Sequence, residues 1–205
     1  PALYSSVFGM FTENLDAFEL GYQSIFLIVS NVVIFGFGIA YYKKKIPSLV
    51  QDVVEKIRTF EISKRVAIIS LAVILCVYIG LSASELSLDE AAQWNDYKRV
   101  LLPALEIWPF GQTDDVYIQE QNDRYVRMFL LDVSLDIFQN IKLLPFVASI
   151  LIVVFTYLIT VQFCQKRFAG IIAVIVLLQG YTFLKYDTVA VYENFWVLFF
   201  LISLY

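Results

Sequence analysis

Residues 143–163 read LLPFVASILIVVFTYLITVQF, twenty-one positions without one charged side chain. A helix needs about 17–25 such residues to cross the hydrocarbon of a bilayer. Three more blocks, 24–41, 66–82 and 168–184, have the same character, and a fifth, 190–205, is still apolar where the sequence stops. With 60% hydrophobic and 17% charged residues, the chain is too apolar for a soluble domain of this length. The expectation is an all-α, polytopic transmembrane helix bundle. The open-ended fifth block suggests the N-terminal part of a larger protein.

Charge orients the spans. Residues 43–65 hold seven bases against three acids, and the short turn after 163 supplies Lys166 and Arg167. Residues 83–142 are the reverse, with eleven acids against five bases. Lysine and arginine beside membrane ends mark the cytoplasmic side. The N-terminus and the long acidic loop are therefore expected outside, and 43–65 inside. Within the loop, 88–102 and 116–141 have helix-favouring composition. Pro103 and the Trp108-Pro-Phe-Gly111 run separate them, and Trp94, Tyr97, Trp108 and Phe110 suit a lipid–water interface. Two surface helices are predicted there. Residues 4–20 carry Glu13, Asp16 and Glu19 in an apolar stretch and read as an amphipathic surface helix rather than a signal peptide.

Several chemistries are excluded. The chain has no histidine, so it holds no His-based triad and no His-ligated metal. Cys76 and Cys164 lie far apart in or at the end of apolar blocks, in no metal or disulfide spacing. The span interiors lack Lys, Arg and His, and Glu193 is the one carboxylate near a span end. Ion-coupled carriers place ionisable groups near mid-membrane. Here the acids gather at one face, which favours surface chemistry over transport.

Asp89 and Glu90 lead that group of acids. They follow the 66–82 block directly, where a carboxylate can meet a substrate with its tail in lipid and its head in water. Ser87-Leu-Asp-Glu90 also matches a helix capping box, in which Glu90 reaches back to the cap. Both readings can hold, because adjacent helix residues point about 100° apart. On that reading Glu90 caps and Asp89 faces a cavity, so Asp89 is the better catalytic candidate. Glu193, at the outer end of the last block, is the second. Asp187 reads as solvated in a turn and Asp114-Asp115 as weak cation ligands. Asp123 and Arg127 read as a surface i,i+4 ion pair. Asn31, Gln162 and Gln179 read as interhelical hydrogen-bonders.

Three local sequences together resemble the GT-C membrane glycosyltransferases, in the protein O-mannosyltransferase-like branch that includes aminoarabinose transferases. LSLDEAAQW resembles that family's Asp-Glu-Ala element in the first outer loop. NIKLLPFVASILIVVFTYLITVQFCQKRFAG resembles its second-span segment, and YDTVAVYENFWVLFFLISLY its next acidic position. The likeness covers roughly residues 66–205, leaving 1–65 as an extra span plus a cytoplasmic linker. It implies a GT-C-like fold and an enzyme that moves a sugar from a polyprenyl-phosphate donor (dolichyl or undecaprenyl) to a protein, lipid or glycan acceptor on the extracytoplasmic face, with inversion. It implies Asp89 as the general base, Glu90 as its positioning neighbour and Glu193 across the same cavity. Whether Asp89 and Glu193 share a divalent cation is left open. The implied partners are membrane lipids, the lipid-linked donor and the acceptor, with no nucleic acid. The implied location is a multi-pass protein of a cell membrane, favouring a prokaryotic plasma membrane over the endoplasmic reticulum. The alternative from residues alone is a non-catalytic structural or accessory subunit of a membrane complex.

Overall fold

The computed structural model describes residues 22–205 apart from 44 and 191–193, and the described residues contain helices and no strand. The proposed surface helix at 4–20 and the candidate Glu193 lie outside the described residues. In chain order the helices are α1 (Tyr22–Tyr42), α2 (Ser48–Thr59), α3 (Lys64–Ser82), α4 (Glu90–Gln93), α5 (Leu102–Ile107), α6 (Val116–Asn122), α7 (Tyr125–Phe138), α8 (Leu143–Cys164), α9 (Arg167–Leu178), α10 (Tyr181–Tyr186) and α11 (Asn194–Leu204). A 3-10 turn, Ala83–Ser87, extends α3, and a π turn, Tyr97–Leu101, precedes α5.

Among helices described with their side chains, two are long and apolar enough to cross a membrane: Lys64–Ser87 and α8. At 1.5 Å per residue they reach about 36 and 33 Å, enough for a hydrocarbon layer of about 30 Å. The block at 168–184 does not form one span. It breaks at Gln179-Gly180, where Gly180 takes an extended backbone, and yields the twelve-residue α9 and the six-residue α10. The last block forms an eleven-residue helix.

Helix α8 is the hub. It packs along α9 and α11 and touches α7, and α9 packs in turn on α3. Its apolar side chains feed two cores. Ala148 and Ile152 join Leu101, Met128, Leu131, Phe195 and Leu198 on one side. Phe146, Val153 and Tyr157 join Ala67, Tyr78, Ile171 and Val174 on the other. Gly170 permits the close α8–α9 contact, since a Cβ there would sit 2.7 Å from both the Tyr157 ring and Val161. Outside these cores Ile68, Ile69, Val73 and Val77 of α3 and Trp196, Phe199 and Phe200 of α11 are exposed. An exposed apolar surface of this width marks a face that meets lipid or another protein.

Contacts sort the connections into two ends of the bundle. At one end the Glu61 carboxylate accepts from the Arg167 backbone N–H (3.1 Å) and Nη1 (3.1 Å), beside an edge-to-face Phe60–Phe168 pair. At the other end residues 82–90, 140–149 and 187–190 meet. The long loop between α3 and α8 is not two continuous helices. Trp94 turns extended after α4, and the chain resumes through the π turn into α5. Pro103 lies within the continuous helical run that the π turn and α5 form together, so it does not divide the loop. The division falls at Trp108–Gly111, with a cis Trp108–Pro109 bond.

Candidate functional site

Two of the three predicted site residues are adjacent and play opposite parts. Ser87 does not cap α4. Its hydroxyl donates to the Ser84 carbonyl (2.7 Å) and closes the 3-10 turn, so Leu88 leaves in an extended conformation. Asp89 then becomes the N-cap, its Oδ1 accepting from the Ala91 N–H at 2.9 Å, and the carboxylate is exposed. Glu90, expected to be the cap, is 3% exposed. The cap and the inward-facing acid have exchanged places relative to the sequence reading.

Glu90 sits in a built environment. Its Oε1 accepts from the Ala190 N–H at 2.7 Å, across 100 residues of sequence. Its Oε2 lies 3.4 Å from Lys142 Nζ, and both side chains are almost fully buried. Lys142 also donates to the Glu85 carbonyl (3.1 Å). Asn140 orients the lysine's backbone: its Oδ1 accepts from the Lys142 N–H (2.9 Å) while its Nδ2 donates to the Leu86 carbonyl (3.0 Å). A buried charge is stable only when paired and hydrogen-bonded, and these bonds meet that condition for the lysine and the glutamate together.

Asp187 is the second buried acid, at 1% exposure, not the solvated turn residue its sequence suggests. Ser82 Oγ donates to its Oδ2 (2.7 Å), and Ser149 Oγ and Asn194 Nδ2 donate to its carbonyl (2.7 and 3.2 Å). Burial pushes its carboxyl above the usual range. The Ser82 hydroxyl and the nearby Tyr78 hydroxyl, which falls short of hydrogen-bond geometry, pull it back, and the Glu85 charge pushes it further up. Thr188 Oγ1 meets Glu85 Oε2 at 3.2 Å. Tyr97 is also held above its ordinary value, by burial first and then by the charges of Glu90 and Asp89.

Arg127 completes the layer. It is 2% exposed rather than a surface partner, with Nη1 on Gln121 Oε1 (2.5 Å) and Nη2 on the Ala190 carbonyl (3.0 Å). Ala190 is therefore gripped from both sides, its N–H by Glu90 and its carbonyl by Arg127. The other sequence candidates fall elsewhere. Asp115 caps α6 through the Tyr117 and Ile118 N–H groups, Asp114 is exposed, and Gln162 and Gln179 are exposed, while the Asn31 side chain lies outside the described residues. Among the described residues no group of three or more Cys, Asp or Glu side chains converges as a metal site.

Lys142, Asp187 and Arg127 are the members of the layer that the sequence reading assigned no such role. Lys142 had one legible signal: a lone lysine between an apolar block and an acidic loop needs an acid close by. Compared with known protein families, with curated proteins and with solved structures, the chain matches none.

Proposed function

We propose that this protein is a multi-pass membrane glycosyltransferase of GT-C type, acting at the extracytoplasmic face on a polyprenyl-phosphate-linked sugar. The observation that carries the reading is the 2.7 Å bond from the Ala190 N–H to Glu90. It ties the Asp89-Glu90 pair to the segment that leads into Glu193, which the family resemblance makes the second acid of the same cavity. Glu90 is the anchor, locked by Lys142, and Asp89 is the carboxylate left open to solvent. The pair opens a helical loop at the end of an apolar span, so a lipid-borne headgroup and a soluble acceptor can both reach it.

In the reaction, Asp89 takes the proton from the acceptor hydroxyl as its oxygen attacks the anomeric carbon from the face opposite the phosphate. The bond from that carbon to the phosphate oxygen breaks, and polyprenyl phosphate leaves with the electron pair. General-base assistance of this kind contributes about 10²–10⁴-fold. Asp89→Asn tests the role cleanly, because asparagine caps a helix as well as aspartate does. The fold should persist while transfer from a polyprenyl-phosphate sugar in proteoliposomes falls by at least about 100-fold. Near-normal transfer by this variant removes Asp89 from the mechanism. Glu193→Gln, tested alongside with and without added divalent cation, separates an acceptor-orienting role from a metal-holding one.

A second reading, a structural or accessory membrane subunit, is favoured by one observation. Every described polar contact of Asp89 and Glu90 is one that a purely structural cap and anchor would make. On that reading no transfer is detected with any polyprenyl-phosphate sugar, and Asp89→Asn has no phenotype.

A further inference from the structure

Helix α2 packs along no other described helix, yet it carries an apolar face. At about 100° per residue, Val50, Val53, Val54 and Ile57 share roughly a quarter of its circumference. Val50, Val53 and Ile57 are exposed, the last two at 53% and 59%. Asp52 and Glu55 fall on the opposite side, and Lys56 borders the apolar arc. We propose that α2 is a membrane-surface helix that binds a leaflet bearing anionic phospholipids, with its apolar face at the acyl boundary and its acids toward water. The proposal concerns the basic end of the bundle and does not rest on glycosyl transfer.

Three observations favour a bilayer over a protein as the occupant of that face. The first is the tether. Residues 43–47 and 60–63 join α2 to α1 and α3, and even fully extended these five and four residues reach only about 17 and 14 Å. Helix α1 holds no charged residue and ends on Tyr42, which is exposed, while α3 belongs to a span-length apolar helix. Both ends of α2 are thus kept near the level where apolar helices leave the hydrocarbon. The Phe60–Phe168 ring pair and the Glu61–Arg167 contact hold its C-terminal end at the opening of α9.

The second is length. Twelve residues rise about 18 Å, too short to cross a bilayer, and a helix of that length is marginal alone in water. A short helix with a distinct apolar arc and a charged opposite face is the form that lies in the lipid–water interface. The third is charge. Residues 43–65 hold seven bases against three acids, and Glu61 is already paired with Arg167. Lys43, Lys45, Lys56, Lys64 and Arg65 are exposed. Attraction to acidic headgroups fades within a Debye length of about 8–10 Å, so the short tethers are what make these charges count.

The test uses the whole chain with Cys76→Ala and Cys164→Ala, both exposed positions, at one copy per nanodisc. An environment-sensitive fluorophore is attached through Val53→Cys or, as the control, Asp52→Cys, and spin-labelled phosphatidylcholine quenches it from the bilayer. In discs containing phosphatidylglycerol the Val53 label should be quenched and the Asp52 label spared. Quenching at Val53 should fall in discs of phosphatidylcholine alone. Replacing Lys43, Lys45 and Lys56 together by Gln should lower the inserted-to-detached ratio on the order of 100-fold, about fivefold per lysine, at an unchanged melting temperature. A Val53 label that stays in water in both discs overturns the proposal, and so does equal quenching at the two positions. Quenching indifferent to lipid charge and to the lysine replacements overturns it as well. Protection of Val53 that needs two copies in one disc overturns it in favour of a contact between copies.

Discussion

Lys142→Met tests the buried layer most sharply. The substitution keeps the length and apolar stem of the side chain but leaves Glu90, 3% exposed, without its 3.4 Å partner. Removing one partner of a buried ion pair costs about 3–5 kcal/mol. Protonation sets a ceiling: neutralising a carboxyl of ordinary pKa about 4.3 at pH 7 costs about 3.7 kcal/mol. The Ala190 N–H bond survives, because a neutral carboxyl oxygen still accepts it. The expected loss is therefore about 3 kcal/mol at pH 7, shrinking as the pH falls toward 4 because the remedy is proton uptake. Adding Glu90→Gln removes the charge while keeping an acceptor for Ala190, and should recover most of the loss. The assay is reversible unfolding of the purified protein in mixed micelles, followed by tryptophan fluorescence at pH 7 and pH 4.5. A Lys142→Met variant within about 0.5 kcal/mol of wild type at pH 7, or a double variant no more stable than the single one, would refute the reasoning.

Three further outcomes follow from single contacts. Gly170→Ala should cost about 1–3 kcal/mol in the same unfolding assay, because the new methyl meets the Tyr157 ring and Val161 at 2.7 Å. Asp187 has a raised carboxyl, so its contribution is present below the ordinary carboxylate range and is lost as the pH rises through its folded value. Asp187→Asn should accordingly gain on wild type between pH 4 and pH 8, and a parallel pair of melting curves contradicts this. Gln139 ends α7 in the left-handed region at φ 53°, so Gln139→Gly should stabilise slightly, read as a higher melting temperature.

The helices were legible because apolar blocks of span length leave the backbone few options. Residues 66–82 and 143–163 appear almost as drawn, each within a residue or two. The 168–184 block misled because its composition is continuous while its backbone is not: Gly180 interrupts it, and composition does not register one extended residue. The site was half legible. That acids gather beside the span ends is a matter of sequence. Which of two neighbouring acids turns inward is not, because Ser84 decides it by taking the Ser87 hydroxyl and passing the cap to Asp89. Lys142 and Asp187 were harder still. Their partners Glu90 and Ser82 lie far off along the chain, so only the folded bundle shows that each is buried beside a polar partner.

The central proposal is that Asp89, anchored through Glu90, takes the proton from an acceptor hydroxyl as it attacks a lipid-linked sugar. The most direct measurement is release of polyprenyl phosphate from a polyprenyl-phosphate sugar by purified protein in proteoliposomes, with an acceptor hydroxyl present, for wild type and Asp89→Asn side by side. The account predicts acceptor-dependent release by wild type, and release at least about 100-fold slower in the variant at an unchanged melting temperature. Equal rates for the two proteins, whether both substantial or both zero, would contradict it.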